Sequence, residues 1–222
     1  MRALAIGNGD DFDTGFIGHR LREQGYAFTE CHREHPDGWP GLDGVDLVLT
    51  LGSEWNVYGS ETTELVAAES EFVRDVVARD LPLLAICFGA QVLSHALGGT
   101  VSRAATPEIG WVELPVDGDG VPAGPWLEWH YDTFTVPDGF AELARNDAGP
   151  QLIRGHRALA TQFHPEVTET MIVRWLKMGG AEELRRNGGE PAELLAQTRA
   201  NVESSGPNAA ALVDWFLAEV AA

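Results

Sequence analysis

Leu81 to Gly99 reads LPLLAICFGAQVLSHALGG. Leu81, Leu83, Leu84, Ala85 and Ile86 form an apolar run of the kind a strand shows when both faces are covered. Cys87 follows at once. From Gly89 to Leu97 the apolar residues recur at helical spacing, and Gly98-Gly99 stops them. The stretch predicts a buried strand that turns tightly into a helix, with Cys87 at the turn. Such a turn pushes its central side chain out at the end of the sheet. It also aims the first free N–H groups of the helix at that side chain. The setting suits a nucleophile, because a positive helix end favours thiolate and the same N–H groups can hold an oxyanion. Gly89 leaves room for the turn and for a close substrate.

A lone cysteine at a strand end is ordinarily a small packed core residue. Gln162-Phe163-His164-Pro165-Glu166 argues otherwise. A thiol needs a base, and the base needs a third group to orient it, wherever these lie in the chain. His164 and Glu166 are two apart, so in an extended segment they point the same way. Glu166 can accept from one imidazole nitrogen while the other faces Cys87. Pro165 fixes the backbone between them.

AICFGAQ at 85–91 and QFHPE at 162–166 together resemble the class I (triad-type) glutamine amidotransferases, and within them the GMP-synthase-like type 1 domains. The resemblance runs from Arg2 to about Val167 and more loosely into the tail. It implies a flavodoxin-like α/β fold and a catalytic triad of Cys87, His164 and Glu166. It also implies hydrolysis of the side-chain amide of L-glutamine through a γ-glutamyl thioester, with ammonia passed to an acceptor and no cofactor or metal. In that family the strand at 45–51 ends in a Gly-Gly-Pro-like turn whose backbone N–H completes the oxyanion hole. Gly52 keeps the first glycine, while Ser53 and Glu54 replace the second glycine and the proline. A backbone donor survives a side-chain change, and the second donor is the N–H of Phe88. Gln91 is the candidate for holding substrate from the first helical turn. Ala85 stands where the family usually has a glycine. Trp129-His130-Tyr131-Asp132 resembles the family's Trp-His-x-Asp segment beside the glutamine pocket. His130 and Asp132 are therefore substrate-binding candidates, with a hydrogen-bonded structural pair as the alternative. His164 ranks above His130 as the base because only His164 carries the adjacent Pro-Glu.

The chain has 222 residues, enough for one well-buried α/β domain: a core over 1–167 and a helical extension over 168–222. Its formal charge of −19 argues against nucleic acid or an anionic membrane as partner. Two cysteines, Cys31 and Cys87, fit a reducing cytoplasm, since a disulfide between them would disable the nucleophile. The N-terminal apolar stretch is too short for a signal peptide, and no run reaches transmembrane length.

In chain order, Arg2–Gly7 is an expected strand, 15–24 a helix, 26–31 a strand ending on a structural Cys31, and 45–51 a third strand. His32, Arg33, Glu34 and His35 read as a solvated loop rather than a metal pair. Ser60 is expected to cap a helix running to about Arg79, with Leu65, Phe72, Val73, Val76 and Val77 inward. The βαβαβ rhythm predicts a mostly parallel central sheet with helices on both faces and a site at the carboxyl ends of its strands. Short strands follow at 100–102 and 110–116, then a Gly/Pro/Asp loop over 117–125. Strands at 141–144, 151–154 and 158–162 come next, the last delivering His164. The tail is helical, with breaks at Gly179-Gly180, Gly188-Gly189 and Ser204–Pro207. Its last helix, 208–221, carries Leu212, Trp215, Phe216 and Val220 on one face, for the sheet or for a synthase subunit.

No G-x-x-x-x-G-K-[ST] phosphate loop is present, and Gly7-Asn8-Gly9 lacks the rest of a dinucleotide fingerprint. The chain has no room for an ATP-using synthetase domain. Three readings stay open: a glutaminase feeding a partner synthetase, a stand-alone γ-glutamyl hydrolase or peptidase, and a non-catalytic binding subunit.

Overall fold

The computed structural model describes residues 1–117 and 120–222. Strands β1 (Arg2–Gly7), β2 (Ala27–His32), β3 (Leu47–Thr50), β4 (Leu83–Ile86), β7 (Phe140–Asn146), β8 (Gly149–Gly155) and β9 (Ala158–Thr161) form a seven-stranded sheet in the order β2-β1-β3-β4-β9-β8-β7. The pairings from β2 through to β9 are parallel, and those of β9 with β8 and β8 with β7 are antiparallel. The expected mostly parallel α/β sheet is thus present. β5 (Val101–Val112) and β6 (Trp126–Phe134) form a separate antiparallel hairpin.

Alternate residues of the central strands go to opposite faces, as the period of two requires. Ala3, Ala5, Leu47, Leu49, Leu84 and Ile86 pack on one face against Ile17 and Leu21 of α1 (Gly15–Glu23). The same cluster takes in Ala209, Leu212, Val213 and Phe216 of α6 (Pro191–Glu219). Leu4, Ile6, Val48, Leu83 and Ala85 pack on the other face. There they meet Val66, Val73 and Val76 of α2 (Thr63–Ala78), and Val92 and Leu93 of α3 (Phe88–Ala96). A third cluster joins Leu127 of the hairpin to Met171 and Ile172 of α4 (Glu169–Trp175), Leu184 of α5 (Ala181–Arg186) and Leu194 of α6.

Several local expectations are corrected. α2 starts at Thr63 after Thr62, and Ser60 does not cap it; the Thr63 hydroxyl instead donates to the Gly59 carbonyl. Its buried stripe is Val66, Glu69, Ser70, Val73 and Val76, with Leu65, Phe72 and Val77 only half-buried. The two strands expected at 100–102 and 110–116 are one strand, β5, whose register shifts between Arg103 and Glu108. Pro107 sits in that irregularity, where a missing N–H is tolerated. The expected break at Ser204–Pro207 is absent: α6 runs through Gly206 and Pro207. Leu194, Thr198, Ser205, Ala209, Leu212 and Phe216 bury one stripe on both sides of the proline, so packing outweighs the local signal. α4 and α5 are joined by a π-helical turn, Leu176–Gly180, in which Gly179 has φ 115°. The loop expected over 117–125 includes Gly118 and Asp119, which lie outside the described residues.

Candidate active site

Chain order reverses at β1, which lies between β2 and β3. Open α/β sheets form their clefts at such a point, beyond the carboxyl ends of the strands. Gly7 ends β1, Gly52 follows β3 and Cys87 follows β4, and all three line one cavity of about 640 Å³.

Cys87 has φ 51° and ψ −105°, a positive φ that non-glycine residues adopt only when their surroundings enforce it. Its N–H donates to the Thr161 carbonyl (2.7 Å), and its carbonyl accepts from Gln91 N–H (3.1 Å). The strand and the helix thus hold the turn from both sides. Gly89 lets α3 approach β3, because a Cβ there would lie 2.6 Å from the Thr50 carbonyl oxygen. The thiol ends up at the N-terminus of α3, with the Gln162 side-chain amide 3.5 Å from Sγ.

β9 ends three residues before His164, and the His164 N–H donates to the Leu127 carbonyl (2.8 Å), tying the imidazole to the hairpin. Nδ1 lies 2.7 Å from Glu166 Oε1. The ring lies beside Cys87, since a Cβ built on Gly52 would touch both side chains. Burial by itself pushes the imidazole pKa down. The charges of Glu166 and Cys87 and the hydrogen bond to Glu166 outweigh burial and hold it well above 6.5. Trp175 closes one side, edge-on to the ring at 5.1 Å. The Glu166 turn is anchored in turn: its carbonyl accepts from Phe16 N–H at 2.8 Å.

Gly52 sits against both reactive side chains. A Cβ on it would lie 2.8 Å from His164 Cε1 and 3.6 Å from Cys87 Cβ. The Ser53 hydroxyl accepts from Trp55 N–H (3.1 Å) and holds the turn. The loop's carbonyls are fixed from behind by Arg33, which donates to Leu51 O (3.0 Å) and Gly52 O (3.2 Å). A trans peptide points its C=O and N–H in opposite directions. Holding those two carbonyls therefore turns the N–H groups of Gly52 and Ser53 away from Arg33.

Arg33 corrects the solvated-loop reading of 32–35. It has no exposed surface, pairs with Glu69 at 2.6 Å and lies over the Phe88 ring at 4.8 Å. His35 is exposed and His32 partly so. The signal for Arg33 was Glu69, a carboxylate in the inward stripe of α2 that needs a buried cation.

Gln91 is buried, lines the cavity and donates its side-chain amide to Gln162 Oε1 (3.3 Å). Phe88 is buried at the first position of α3. His130 and Asp132 also line the cavity. His130 Nδ1 lies 2.9 Å from the Asp132 main-chain carbonyl, while the Asp132 carboxylate accepts from the Tyr58 hydroxyl at 2.8 Å. The His130 Nε2 faces two carboxylates, Glu108 (3.1 Å) and Glu128 (3.4 Å). Burial opposes its protonation, but the hydrogen bond to Glu108 and the charge of Glu128 raise its pKa to about 10, and burial raises Glu128 to about 7. Glu128 was missed in the sequence. It shares strand parity with Trp126, His130, Asp132 and Phe134, all buried.

The family model for class-I glutamine amidotransferases matches residues 56–177, more than half of the chain. The chain belongs to the class-I glutamine amidotransferases. This amidotransferase is 31% identical over 177 residues to the glutamine-hydrolysing GMP synthase of Bdellovibrio bacteriovorus, covering 77% of this chain and 33% of that one. It is 33% identical over 167 residues to the glutamine-hydrolysing GMP synthase of Porphyromonas gingivalis, covering 69% and 31%. The chain therefore spans about a third of the length of the curated relatives it matches. Its fold is shared with a glutamine amidotransferase from Thermotoga maritima, at a TM-score of 0.86, 24% identity and 99% of each chain. No helix among the described residues is long and apolar enough to cross a membrane.

Proposed function

We propose that this chain is a glutaminase unit that uses Cys87, His164 and Glu166 to hydrolyse the side-chain amide of L-glutamine. The Cys87 thiolate, paired with the His164 imidazolium, attacks the γ-carboxamide carbon. Backbone N–H groups at Gly52 or Ser53 and at Phe88 stabilise the oxyanion. His164, steadied by Glu166, gives the proton to the leaving ammonia. It then takes one from water, which attacks the γ-glutamyl thioester and frees glutamate. Gln91 and Asp132 hold the substrate, His130 braces Asp132 through its main-chain carbonyl, and no metal or organic cofactor enters these steps. The observation that carries this reading is the His164–Glu166 pair set beside Cys87 against Gly52, with Cys87 at the N-terminus of α3.

Residues 1–167 serve as the catalytic core and 168–222 as a helical extension packed on it. The ammonia goes to an acceptor activated by a synthetase partner. That partner is supported by the unmatched two-thirds of the GMP synthases. The cavity favours a second reading, a γ-glutamyl hydrolase or peptidase with the same triad. At about 640 Å³ it has the size of cavities that take drug-sized ligands, well beyond glutamine alone.

The test is a panel of L-glutamine, γ-glutamyl peptides and γ-glutamyl amines, with mass spectrometry of the protein. A γ-glutamyl adduct on Cys87, trapped by acid quench in the wild-type chain and absent from Cys87→Ala, is the expected result, and the best substrate decides between the readings. An adduct elsewhere, or none with any member, overturns both.

A further inference from the structure

The hairpin of β5 and β6 gathers three groups that the proposed chemistry leaves partly unexplained. Glu128 and His130 are two apart on β6 and share a face. Glu108 is directly opposite His130 in the register. One ligand atom from each of the three lies within 4.8 Å of the others. The side chains of Glu128 and His130 are 0% and 1% exposed, and that of Glu108 is 22% exposed.

A second observation points to a ligand. Both carboxylate oxygens of Glu128 are buried without a hydrogen-bond partner; Oε2 lies 3.4 Å from His130 Nε2, at ion-pair distance. Buried carboxylates are normally hydrogen-bonded, paired at close range or bound to a metal. The surroundings are those of a ligand set with its outer partners in place. The Asp132 carbonyl at Nδ1 leaves Nε2 as the nitrogen facing the carboxylates. Asn146 donates to Glu108 Oε1 (2.6 Å) and Gln151 to Glu108 Oε2 (3.1 Å). Such contacts orient metal ligands.

We propose that Glu108, Glu128 and His130 bind a divalent cation of zinc-like character. Two carboxylate oxygens and one imidazole nitrogen, with no thiolate, suit zinc or manganese. The 3.1 and 3.4 Å separations fit the roughly 3.3 Å edges of a tetrahedron built on bonds of about 2.0 Å. The cation takes the place of the proton on Nε2 and balances the two carboxylates, so its uptake releases protons. His130 lines the cavity and gives the ion a way in.

The test uses the full chain as Cys87→Ala, which keeps metal off the nucleophile, in excess magnesium to fill the acidic surface. Cobalt is the spectroscopic probe, and zinc is titrated by calorimetry. One ion per chain is expected, with no thiolate-to-cobalt charge-transfer band. Glu128→Gln in the same background removes a buried charge and still folds, as its unfolding midpoint will show. It loses affinity by at least about a hundredfold, and Glu108→Gln does likewise. No stoichiometric uptake by Cys87→Ala, or uptake that both glutamine variants leave intact, overturns the proposal. Neither result bears on whether Cys87 attacks glutamine.

Discussion

Arg33 and Glu69 pair at 2.6 Å with no exposed surface on either side chain, 36 residues apart in the chain. The pair is more than internal neutralisation. Glu69 also accepts from the Thr50 hydroxyl, and Arg33 carries the carbonyls of Leu51 and Gly52. It therefore connects α2 to the loop that faces Cys87. Arg33→Met strands the Glu69 charge and should cost about 3–5 kcal/mol of stability. Arg33→Met with Glu69→Leu should recover most of that loss. It should still show kcat lowered roughly a hundredfold at little-changed KM, because the oxyanion donors are no longer aimed. Thermal unfolding and steady-state kinetics on both variants check this. A stable double variant with full kcat contradicts the positioning role.

Gly15 is the second constraint on the site. Its φ is 46°, and a Cβ there would lie 1.8 Å from the Glu166 carbonyl oxygen. Gly15→Ala must move either α1 or the Glu166 turn. The positive φ adds about 1–3 kcal/mol of strain to that clash. The expected outcome is a lower unfolding midpoint together with weaker glutamine hydrolysis. Ala substituted at Gly38, which has open space around it, should do neither.

The two thiols should differ in reactivity. Burial pushes the Cys31 thiol to about 11, so at pH 8 roughly one molecule in a thousand carries its thiolate. Cys87 sits at a helix N-terminus on the cavity wall. Iodoacetamide should label one site per native chain, identified as Cys87 by peptide mapping, and both sites after denaturation. Comparable labelling of Cys31 in the native protein contradicts this.

Much of this site is local in the chain, and that part was legible. The apolar run ending on Cys87 and the helical spacing after it specify the turn, and the two-residue spacing of His164 and Glu166 specifies their shared direction. What was not legible depends on distant partners. Arg33 reads as a loop cation until Glu69 is brought against it. Ser204–Pro207 reads as a break until Leu212 and Phe216 are seen to bury the same stripe as Leu194. Glu108 joins His130 only through the shifted register around Pro107, which alternation alone does not reveal.

His164 gives a signed pH dependence. Its folded-state pKa is held well above 6.5 by Glu166 and Cys87 against the effect of burial. The native state thus keeps a proton that the unfolded state loses above about 6.5. The stabilisation is complete below that pH and is lost as pH rises towards the folded value. Relative to His164→Asn, the wild-type unfolding midpoint should fall as pH is raised from 6.5 to 9. A wild-type advantage that grows over that range contradicts the assignment.

The most direct measurement is release of ammonia and glutamate from L-glutamine and the γ-glutamyl panel, by the purified chain beside Cys87→Ala. Release of glutamate that disappears in Cys87→Ala is the predicted result. Equal release from both proteins, or none from either with any substrate, contradicts the account.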